Sequence, residues 1–321
     1  MKPLTALWDA LAYVPRRLAE LARCPAALRR LGILGMNRRN AECVLDLNPR
    51  QGYPEVDSKS KMHALCDAIG VPCPRIFARV AAHSAMRHLP RLLQGHDDFV
   101  IKPDRGAGGR GILVIRERDG ERFVRHNGER IDLAGLRQHV SGVVSGLYSL
   151  GGNPDTALIQ QRVLLHPAMA RVSYQGIGDV RVIVYRKVPA MAMLRLPTKM
   201  SGGRANLHQG GIGAGVDLET GRTAHAVCRN RITYRHPDTG ESLVGFEVPH
   251  WRQVIDMAVK VAAAVRLGFL GVDIVIDRDQ GPLLLEANAR PGLAIQIANG
   301  RGLRHRLEEI ERELAGEAHP T

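Results

Sequence analysis

Short runs in which apolar residues alternate with polar residues, or follow one another directly, recur between residues 75 and 289 and predict β-strands. Most of these runs occur in pairs separated by a few turn-forming residues, a spacing that is typical of antiparallel strands. The predicted strands are RIFARV (75–80), DDFVIKP (97–103), ILVIRERD (112–119), ALIQQRVLL (157–165), a strand–turn–strand unit over 179–196, GVDIVID (271–277) and PLLLEANA (282–289). Since helical segments separate the pairs, we predict a mixed α+β and α/β fold of packed lobes rather than a doubly wound parallel sheet.

Helical segments are marked by apolar residues three or four positions apart. The segment from Asp57 to Ile69 is predicted to be a helix that Ser58 caps and Gly70 ends. Further predicted helices are 83–95, 132–148 and 252–267, of which the last has the clearest amphipathic pattern. The glycine-rich and polar residues 201–215 predict a loop.

Residues 1–35 mix arginines with apolar residues and predict two or three short amphipathic helices, interrupted at Pro15 and Pro25. The mixing argues against a secretory signal, in which a clean apolar block follows the positive charges. Two interpretations fit the pattern. The segment is either a helical arm docked on the body of the protein or a basic helix that contacts an anionic membrane surface or a partner.

The composition fits a globular protein, with 45% hydrophobic residues. No apolar run approaches the roughly 18–20 residues that cross a bilayer. The five cysteines form neither a CxxC pair nor a zinc-like spacing, and such a scattered set suits a reducing compartment. We therefore expect a soluble, cytoplasmic protein that is long enough for two or three lobes.

The net charge of +13 raises the question of a polyanionic partner. Aromatic residues make up only 4% of the chain, and no zinc-finger, RNP1-like or heptad-plus-basic-region pattern occurs. Phosphate handling in a nucleotide site, together with a basic surface, therefore explains the charge better than nucleic-acid binding does.

A glycine-rich turn with a nearby lysine is the first candidate binding feature. The glycines of GAGGRG are Gly106, Gly108, Gly109 and Gly111, and the segments on both sides are predicted strands. A Rossmann fingerprint opens a helix and a Walker A loop contains GK[ST], so neither motif fits. If the turn is not an ordinary glycine hairpin, it is a flap whose backbone N–H groups can cover phosphates. Lys102, four residues earlier, is placed to contact the same phosphates as a point charge.

Two acidic residues and an amide meet across a predicted hairpin. Residues two apart on a strand face the same side, so Glu286 and Asn288 point together. If the chain turns around Asp279 and Gln280, Asp273 falls opposite Glu286, with Cβ atoms roughly 5 Å apart. Unless these groups are surface carboxylates at strand ends, they suit Mg²⁺ or Mn²⁺ completed by phosphate oxygens and water.

Seven segments in a fixed order resemble the ATP-grasp superfamily, over roughly residues 55–300. They are SK at 58–59 before a helix that ends in GVPCP, then FVIKPDRGAGGRGI, LIQQRV, DVRVIV, GGRANLHQGG, GVDIVID and LLEANARPGL. Within the superfamily they are similar to the ribosomal protein S6 glutamate ligases and the α-L-glutamate ligase-like group. The resemblance implies the ATP-grasp fold, in which two α+β lobes hold ATP between them.

The resemblance implies a set of residues at the nucleotide. Lys59 and Lys102 match the two lysines that contact phosphates, and Lys61 is the alternative to Lys59. Three residues match the segment between the lobes that reads adenine: Gln160, Gln161 and Val163. The family commonly has a glutamate where Gln161 stands.

The resemblance also implies metal ligands and a substrate segment. The metal ligands are Asp273, Glu286 and Asn288, which would hold Mg²⁺ or Mn²⁺, in two ions. The phosphate and substrate segment contains Arg204, Asn206 and His208, and Arg290 matches the arginine that follows the metal ligands. Of these, the implied catalytic residues are Arg204, Asn206 and Arg290.

The N-terminal part departs from the S6-type pattern. Those ligases have a Rossmann-like domain before the first lysine, whereas here 58 residues precede Lys59 and their pattern is helical. The segment MNRRNAECVLDLNPRQGYPEVDSK (36–59) is instead similar to the ligase-like group and to sugar-transfer-associated ATP-grasp proteins. Addition of glutamate to ribosomal protein S6 therefore does not carry over.

The implied function is an ATP-dependent carboxylate–amine ligase that works through an acyl phosphate and joins glutamate or another amino acid to an amine or peptide. One alternative is an ATP-grasp kinase or a nucleotide-regulated protein without ligase activity. Another is a basic module that binds nucleic acid or a membrane surface, against which the intact candidate residues argue.

We expect four parts along the chain and a homo-oligomeric assembly. The parts are a helical N-terminal arm (1–55), a first lobe with the flap (56–158), a second lobe with the metal hairpin (159–305) and a C-terminal tail (306–321).

Overall fold

Two antiparallel sheets form the framework of the structure, a computed structural model that describes residues 25–106 and 108–316. The first sheet has the order β1-β6-β2-β3-β4-β5 and contains β1 (Ile76–Val80), β2 (Phe99–Pro103), β3 (Leu113–Asp119), β4 (Arg122–Arg125), β5 (Arg130–Ile131) and β6 (Ala157–Gln160). The second has the order β11-β10-β9-β8-β7-β12-β13 and contains β7 (Asp179–Tyr185), β8 (Val188–Leu196), β9 (Ile212–Val216), β10 (Thr223–Cys228), β11 (Arg231–Ile232), β12 (Phe269–Asp277) and β13 (Gly281–Asn288). The paired strands are antiparallel, which confirms the predicted mixed α+β fold.

Helices pack on both sheets. The α-helices with described bounds are Met36–Arg38, Tyr53–Asp57, Lys59–Ile69, Leu89–Leu92, Leu133–Val144, Pro167–Arg171, Trp251–Ala264, Ala294–Asn299 and Arg304–Ala315, and residues 25–30 are also helical. The chain also forms a π-helix at Arg39–Leu45. The 3₁₀-helices are Arg50–Gly52, His83–His88, Leu150–Gly152 and Leu207–Gln209. None of the described helices has both the length and the apolar character needed to cross a bilayer.

The helix Lys59–Ile69 has the ends that the sequence predicts. The Ser58 side chain accepts a hydrogen bond from the Lys61 backbone N–H, which satisfies one of the free donors of the first turn. Gly70 ends the helix in the left-handed conformation at φ 63°, where a residue without a Cβ is favoured. These ends fix Lys59 at the first helical position.

Three apolar cores stabilise the sheets. The first sheet buries one face against the helix Leu133–Val144. The second sheet buries one face under the helices Lys59–Ile69 and Trp251–Ala264. Its other face packs against the C-terminal helices and the segment from Leu34 to Val44. The second sheet is therefore covered on both sides, which explains why every residue of β12 is buried.

The core of the second sheet contains residues that precede the first sheet in the sequence as well as residues that follow it. Val56, Met62, Cys66 and Val71 all lie in this core, although we expected residues 56–158 to form one lobe. The first sheet uses only strands between residues 76 and 160 and is thus inserted into the other lobe. The apolar face of the Lys59–Ile69 helix does not reveal from the sequence which sheet it contacts, and in the structure it packs on the second sheet.

Residues 201–215 are not a loop throughout, because β9 begins at Ile212 and pairs with β8 and β10. Glycines lowered the strand signal here, yet they have a packing role. A Cβ at Gly213 or Gly215 would lie within 3.1 Å of Ala298, so the strand needs glycines where the helix Ala294–Asn299 crosses it.

Other predicted bounds shift as well. Residues 83–95 form a 3₁₀-helix followed by the short helix Leu89–Leu92, and the strand predicted at 157–165 ends at Gln160 because the chain leaves the first sheet there. The predicted C-terminal tail (306–321) overlaps the helix Arg304–Ala315, which buries Leu307 and Ile310. The helices predicted for residues 1–24 lie outside the described residues.

Candidate active site

Lys59, Lys102 and Glu286 line one cleft between the two sheets. Lys102 lies on β2 and Glu286 on β13, so each sheet contributes one of them. The cleft has a volume of about 360 Å³, part of which is open to solvent, and is completed by Val56, Met62, His63, Cys73, Ile76, Leu158, Gln160, Leu284, Leu285 and Ala287. A second cavity of about 240 Å³ shares the same two lysines and Glu286 and is lined by Gly106, Gly108, Gly109, Arg110 and Ile112 of the glycine loop. Lys61, the alternative to Lys59, is exposed on the helix surface.

Asp104 joins the lysine-bearing helix to the first sheet. Its carboxylate, at the end of β2, accepts hydrogen bonds from Ser58 Oγ (2.7 Å), the Ser60 backbone N–H (2.7 Å) and Ser60 Oγ (2.8 Å). An acidic group at the first turn of a helix also complements the helix dipole. Lys59 Nζ donates in turn to the Gly106 carbonyl at 2.8 Å, so the lysine bridges the two lobes.

Burial lowers the pKa of Lys102 but leaves it positively charged at neutral pH. Its side chain is only 6% exposed, and desolvation, followed by the like charge of Lys59, lowers its pKa from 10.5 to about 8. The opposite charge of Glu286 acts against this shift but does not cancel it. Lys102 forms no ion pair within 4 Å among the residues that the structure describes, and such a buried ammonium attracts phosphate oxygens.

The glycine loop between β2 and β3 is fixed at its ends. At the start, the Arg105 backbone N–H donates to the buried Asp155 carboxylate at 3.0 Å. At the end, the Gly111 carbonyl lies 3.0 Å from His139 Nε2. The segment between these attachments contains glycines in the left-handed region at positions 108 (φ 66°), 109 (φ 74°) and 111 (φ 74°). The loop is therefore hydrogen-bonded at both ends and contains three glycines in a backbone conformation that favours glycine.

The carboxylate hairpin has the predicted register. Asp273 pairs with Glu286 across the hairpin, and the turn lies between Asp277 and Gly281. Asn288 Nδ2 donates to Asp273 at 3.1 Å and to Glu286 at 3.4 Å, so the structure brings the three predicted metal ligands together.

Two arginines that our sequence analysis did not select bind the Asp273 carboxylate. Arg181 on β7 donates through both Nε and Nη2, and Arg195 on β8 donates through Nη2 at 2.7 Å. Burial raises the pKa of Asp273, but the two guanidinium charges outweigh burial and bring the pKa to about 2. Arg195 also binds Asp179, whose pKa burial nevertheless raises to about 6. The available signal was a charged residue inside each of two apolar strands, DVRVIV and AMLRL.

The metal donors fit Mg²⁺ in part. Glu286 is half-buried in the cleft and Asn288 is beside it, which gives an oxygen-only donor set of the kind that hard cations prefer. Asp273 can join them only if it gives up at least one arginine contact. No group of three or more His, Cys, Asp or Glu side chains that could hold a metal occurs among the residues the structure describes. The candidate site thus depends on the Asn288 amide.

The residues implied for adenine lie at different depths. Gln160 lines the cleft and donates through Nε2 to the Pro74 carbonyl. Gln161 uses its side-chain oxygen to accept a hydrogen bond from the Arg75 backbone N–H at 3.1 Å. Val163 packs in a small cluster with Val275, Leu283 and Leu285, and Leu285 in turn lines the cleft.

The residues implied for substrate contact come from two loops. Arg204 is exposed, and its Cδ lies 3.9 Å from the position of a Cβ at Gly109, next to the flap. The Asn206 side chain accepts from the His208 backbone N–H at 3.0 Å and so shapes the loop. Arg290 is exposed beyond the end of β13, with its guanidinium 4.8 Å from the ring centroid of Tyr53.

A comparison with known proteins identifies the family to which the chain belongs. Residues 38–312 match a family described as sugar-transfer associated ATP-grasp. No curated protein matches the sequence.

Three solved structures illustrate the structural likeness. The ATP-grasp ligase PsnB complexed with a minimal precursor shares 16% identity over 84% of this chain and 63% of that chain, with a TM-score of 0.45. The D-cycloserine synthetase DcsG shares 16% identity over 82% and 72%, with a TM-score of 0.47. A RimK domain ATP-grasp protein from Sphaerobacter thermophilus shares 10% over 82% and 70%, with a TM-score of 0.45. The chain thus spans 63% of the length of the first of these proteins.

Proposed function

As the chain belongs to the sugar-transfer-associated ATP-grasp family, we propose that it is an ATP-dependent ligase that joins a carboxylate to an amine. One observation carries the proposal: Lys59, Lys102 and Glu286 line the same cleft, next to a glycine flap. Transfer of a phosphoryl group needs cations that hold the phosphates and a carboxylate that can hold Mg²⁺, and this cleft provides both.

The two lysines divide the binding of the phosphates. Lys102 is buried without an ion-pair partner within 4 Å in the described part of the chain, so a phosphate oxygen would restore the electrostatic interaction that burial removes. Lys59 exchanges its contact with the Gly106 carbonyl for a phosphate contact, which frees the flap to close. The backbone N–H groups of the flap then cover the phosphates.

Glu286 and Asn288 are the residues that would hold Mg²⁺ or Mn²⁺. When bound, the ion neutralises charge on the phosphates. Two ions need a further ligand, and Asp273 is the candidate once it releases an arginine.

The chemistry requires no protein nucleophile. A carboxylate oxygen of the first substrate attacks the γ-phosphorus of ATP, and the bond to ADP breaks to leave an acyl phosphate. The amine nitrogen then attacks the acyl carbon, phosphate leaves with its bonding electrons, and the nitrogen loses a proton to give the amide. We propose an amino acid such as glutamate as one substrate and an amine or peptide as the other. The cationic side chains stabilise charge that builds on the transferred group.

We propose that the functional lobes follow the sheets and not the expected ranges 56–158 and 159–305. The first lobe then contains β1–β6 and the flap, while the second contains β7–β13 together with the helix Lys59–Ile69. Closure of one lobe on the other would bring Lys102 and Glu286 onto the same nucleotide.

An ADP-release screen of amino acids against amines, with products identified by mass spectrometry, tests the proposal. We expect Mg²⁺-dependent ADP release with one pair of substrates and a product whose mass equals their sum minus one water. Glu286→Gln should reduce this turnover by roughly 10²-fold or more, because the transition-state charge loses its metal support.

Glu247→Gln is the matched control, because Glu247 is an exposed acidic residue paired with Arg222 and outside the cleft. It should turn over ATP like the parent. A phosphorylated substrate without an amide product would identify a kinase instead, and unchanged turnover in Glu286→Gln would show the metal assignment to be wrong.

A further inference from the structure

The N-terminal segment is attached on both sides of Arg290. Asn48 Nδ2 donates to the Ala289 carbonyl at 2.9 Å, and Arg39 Nη1 donates to the Pro291 carbonyl at 3.0 Å. Because Asn48 is buried, these contacts fix the N-terminal segment within the protein and do not only attach it to the surface. The position of Arg39 relative to Arg290 is therefore determined by the fold.

Arg39 is half-buried, and its guanidinium is not fully hydrogen-bonded. Its Nε is buried and has no hydrogen-bond partner. Burial, followed by the like charge of Arg290, lowers the pKa of Arg39. The neighbouring Arg38 differs, since it forms a salt bridge with Glu42 at 2.6 Å. A buried donor without an acceptor, on a cation that lies next to a second cation, raises the free energy of the folded protein. A bound anion would remove this cost.

Arg290 also forms no ion pair among the described residues, and a ring contact holds its side chain in place. Its guanidinium lies over the ring of Tyr53, which restricts where it can go. Within residues 25–106 and 108–316, neither Arg290 nor Arg39 forms an ion pair with a carboxylate. The Asp57 carboxyl interacts with Arg290 from beyond ion-pair distance, and the two guanidinium groups still form a positive site.

The arginine pair lies beside the phosphate end of the cleft. Arg290 follows the candidate metal ligand Asn288 by two residues. Tyr53, whose ring faces the Arg290 guanidinium, lies on the same short helix as Val56, which lines the cleft. A group bound between Arg39 and Arg290 would therefore lie next to the site where ATP is proposed to react.

We propose that Arg39 and Arg290 together bind a carboxylate group of the substrate that is joined in the reaction. The inference rests on the proposed ligase function. The planar fork of a guanidinium matches the two oxygens of a carboxylate, and the buried Arg39 Nε is the donor that such an oxygen would satisfy. The N-terminal segment thus supplies a specificity-determining residue from outside the two sheets.

Thermal unfolding of the full chain, with Mg-ADP present, measures the carboxylate site directly. L-glutamate, acetate and inorganic phosphate are titrated at constant ionic strength against chloride. We expect L-glutamate or acetate to raise the Tm of the parent above the chloride baseline. Arg39→Gln and Arg290→Gln should each weaken the apparent affinity by roughly tenfold, because each removes a charge-assisted hydrogen bond.

Arg38→Gln is the matched control, because it removes an adjacent positive charge that is already paired, and it should retain the parent response. Loss of the Arg39–Pro291 contact lowers the Tm of Arg39→Gln without any anion under either role. The binding role is therefore measured by the rise in Tm that a carboxylate causes, which Arg39→Gln should lose under the binding role and keep under a purely structural role. The proposal is wrong if Arg39→Gln responds like the parent, if no carboxylate acts more strongly than chloride, or if phosphate alone acts. Mg-ADP binding, followed separately, distinguishes this failure from failure of the nucleotide site.

Discussion

At Lys102 the requirements of binding and of stability oppose each other. The ammonium is buried where phosphates are expected, and its position four residues before the flap could be predicted from the sequence. The same is true of the pairing of Asp273 with Glu286, since a tight turn and strand alternation determine it. The contacts of Arg181 and Arg195 could not be predicted, because they depend on which strands are neighbours in the sheet.

Replacement of Lys102 by Met should stabilise the nucleotide-free protein. The lysine titrates at 10.5 in the reference state and at about 8 when folded, so between these pH values the unfolded chain binds more protons. The penalty is complete below about pH 8 and disappears as the pH rises towards 10.5. We expect Lys102→Met to increase the free energy of unfolding at pH 7 by roughly 1–3 kcal/mol, and by less at pH 10, as measured by urea unfolding.

Mg-ATP binding should fail in the same variant. The exposed Lys61→Met provides the control for loss of a lysine on the surface, and its stability should change by less than about 0.5 kcal/mol. Equal stability of Lys102→Met and the parent at both pH values would contradict a buried, destabilising ammonium.

The hydrophobic pattern of the sequence and the structure disagree most in the segments that are rich in glycine. The flap could be identified because apolar strands flank it, and the structure places it between β2 and β3. The strand β9 was missed because its glycines carry no hydrophobic signal, although they are needed for contact with a helix that is distant in sequence. The local sequence pattern carries no information about packing against elements that are distant in the sequence.

The flap provides a paired test of its geometry. A Cβ at Gly111 would lie 2.5 Å from Tyr148, whereas a Cβ at Gly108 would have no atom within 4 Å. Both positions have positive φ, so Gly108→Ala costs about 1 kcal/mol of backbone strain while Gly111→Ala adds a clash.

Hydrogen exchange of the flap amides should report this difference. In the parent, Mg-ATP should increase their protection. Gly108→Ala should keep most of that increase, and Gly111→Ala should lose it and bind Mg-ATP at least about tenfold more weakly. Unchanged exchange in the parent on addition of Mg-ATP would contradict the role of the flap.

At the scale of the whole molecule, the arrangement of the lobes depends on a few buried polar contacts. The Asp104 carboxylate, 7% exposed, accepts three hydrogen bonds from Ser58 and Ser60 and so joins the first sheet to a helix of the second lobe. The two antiparallel sheets could be predicted from the order of strands and helices. The packing of the helix Lys59–Ile69 on the second sheet could not, because its apolar face suits either core.

Asp104→Ala should therefore weaken the attachment between the lobes. We expect a loss of roughly 2–3 kcal/mol in the free energy of unfolding, because several buried donors lose their acceptor at once. Mg-ATP affinity should fall as well, since Lys59 is the next residue after Ser58. The exposed Asp97→Ala should change stability by less than about 0.5 kcal/mol, and a similar loss in both variants would contradict the specific contact.

The insertion of the first sheet into the second lobe has a consequence during synthesis on the ribosome. All strands of the first sheet have emerged once residue 160 is outside the exit tunnel, before any strand of the second sheet. The first sheet can then fold co-translationally, while the earlier helix Lys59–Ile69 stays without its partner strands until the strands of the second sheet have been synthesised. The nascent chain thus completes the half that contains Lys102 first, and the cleft becomes competent for nucleotide only when the last strand, β13, is added.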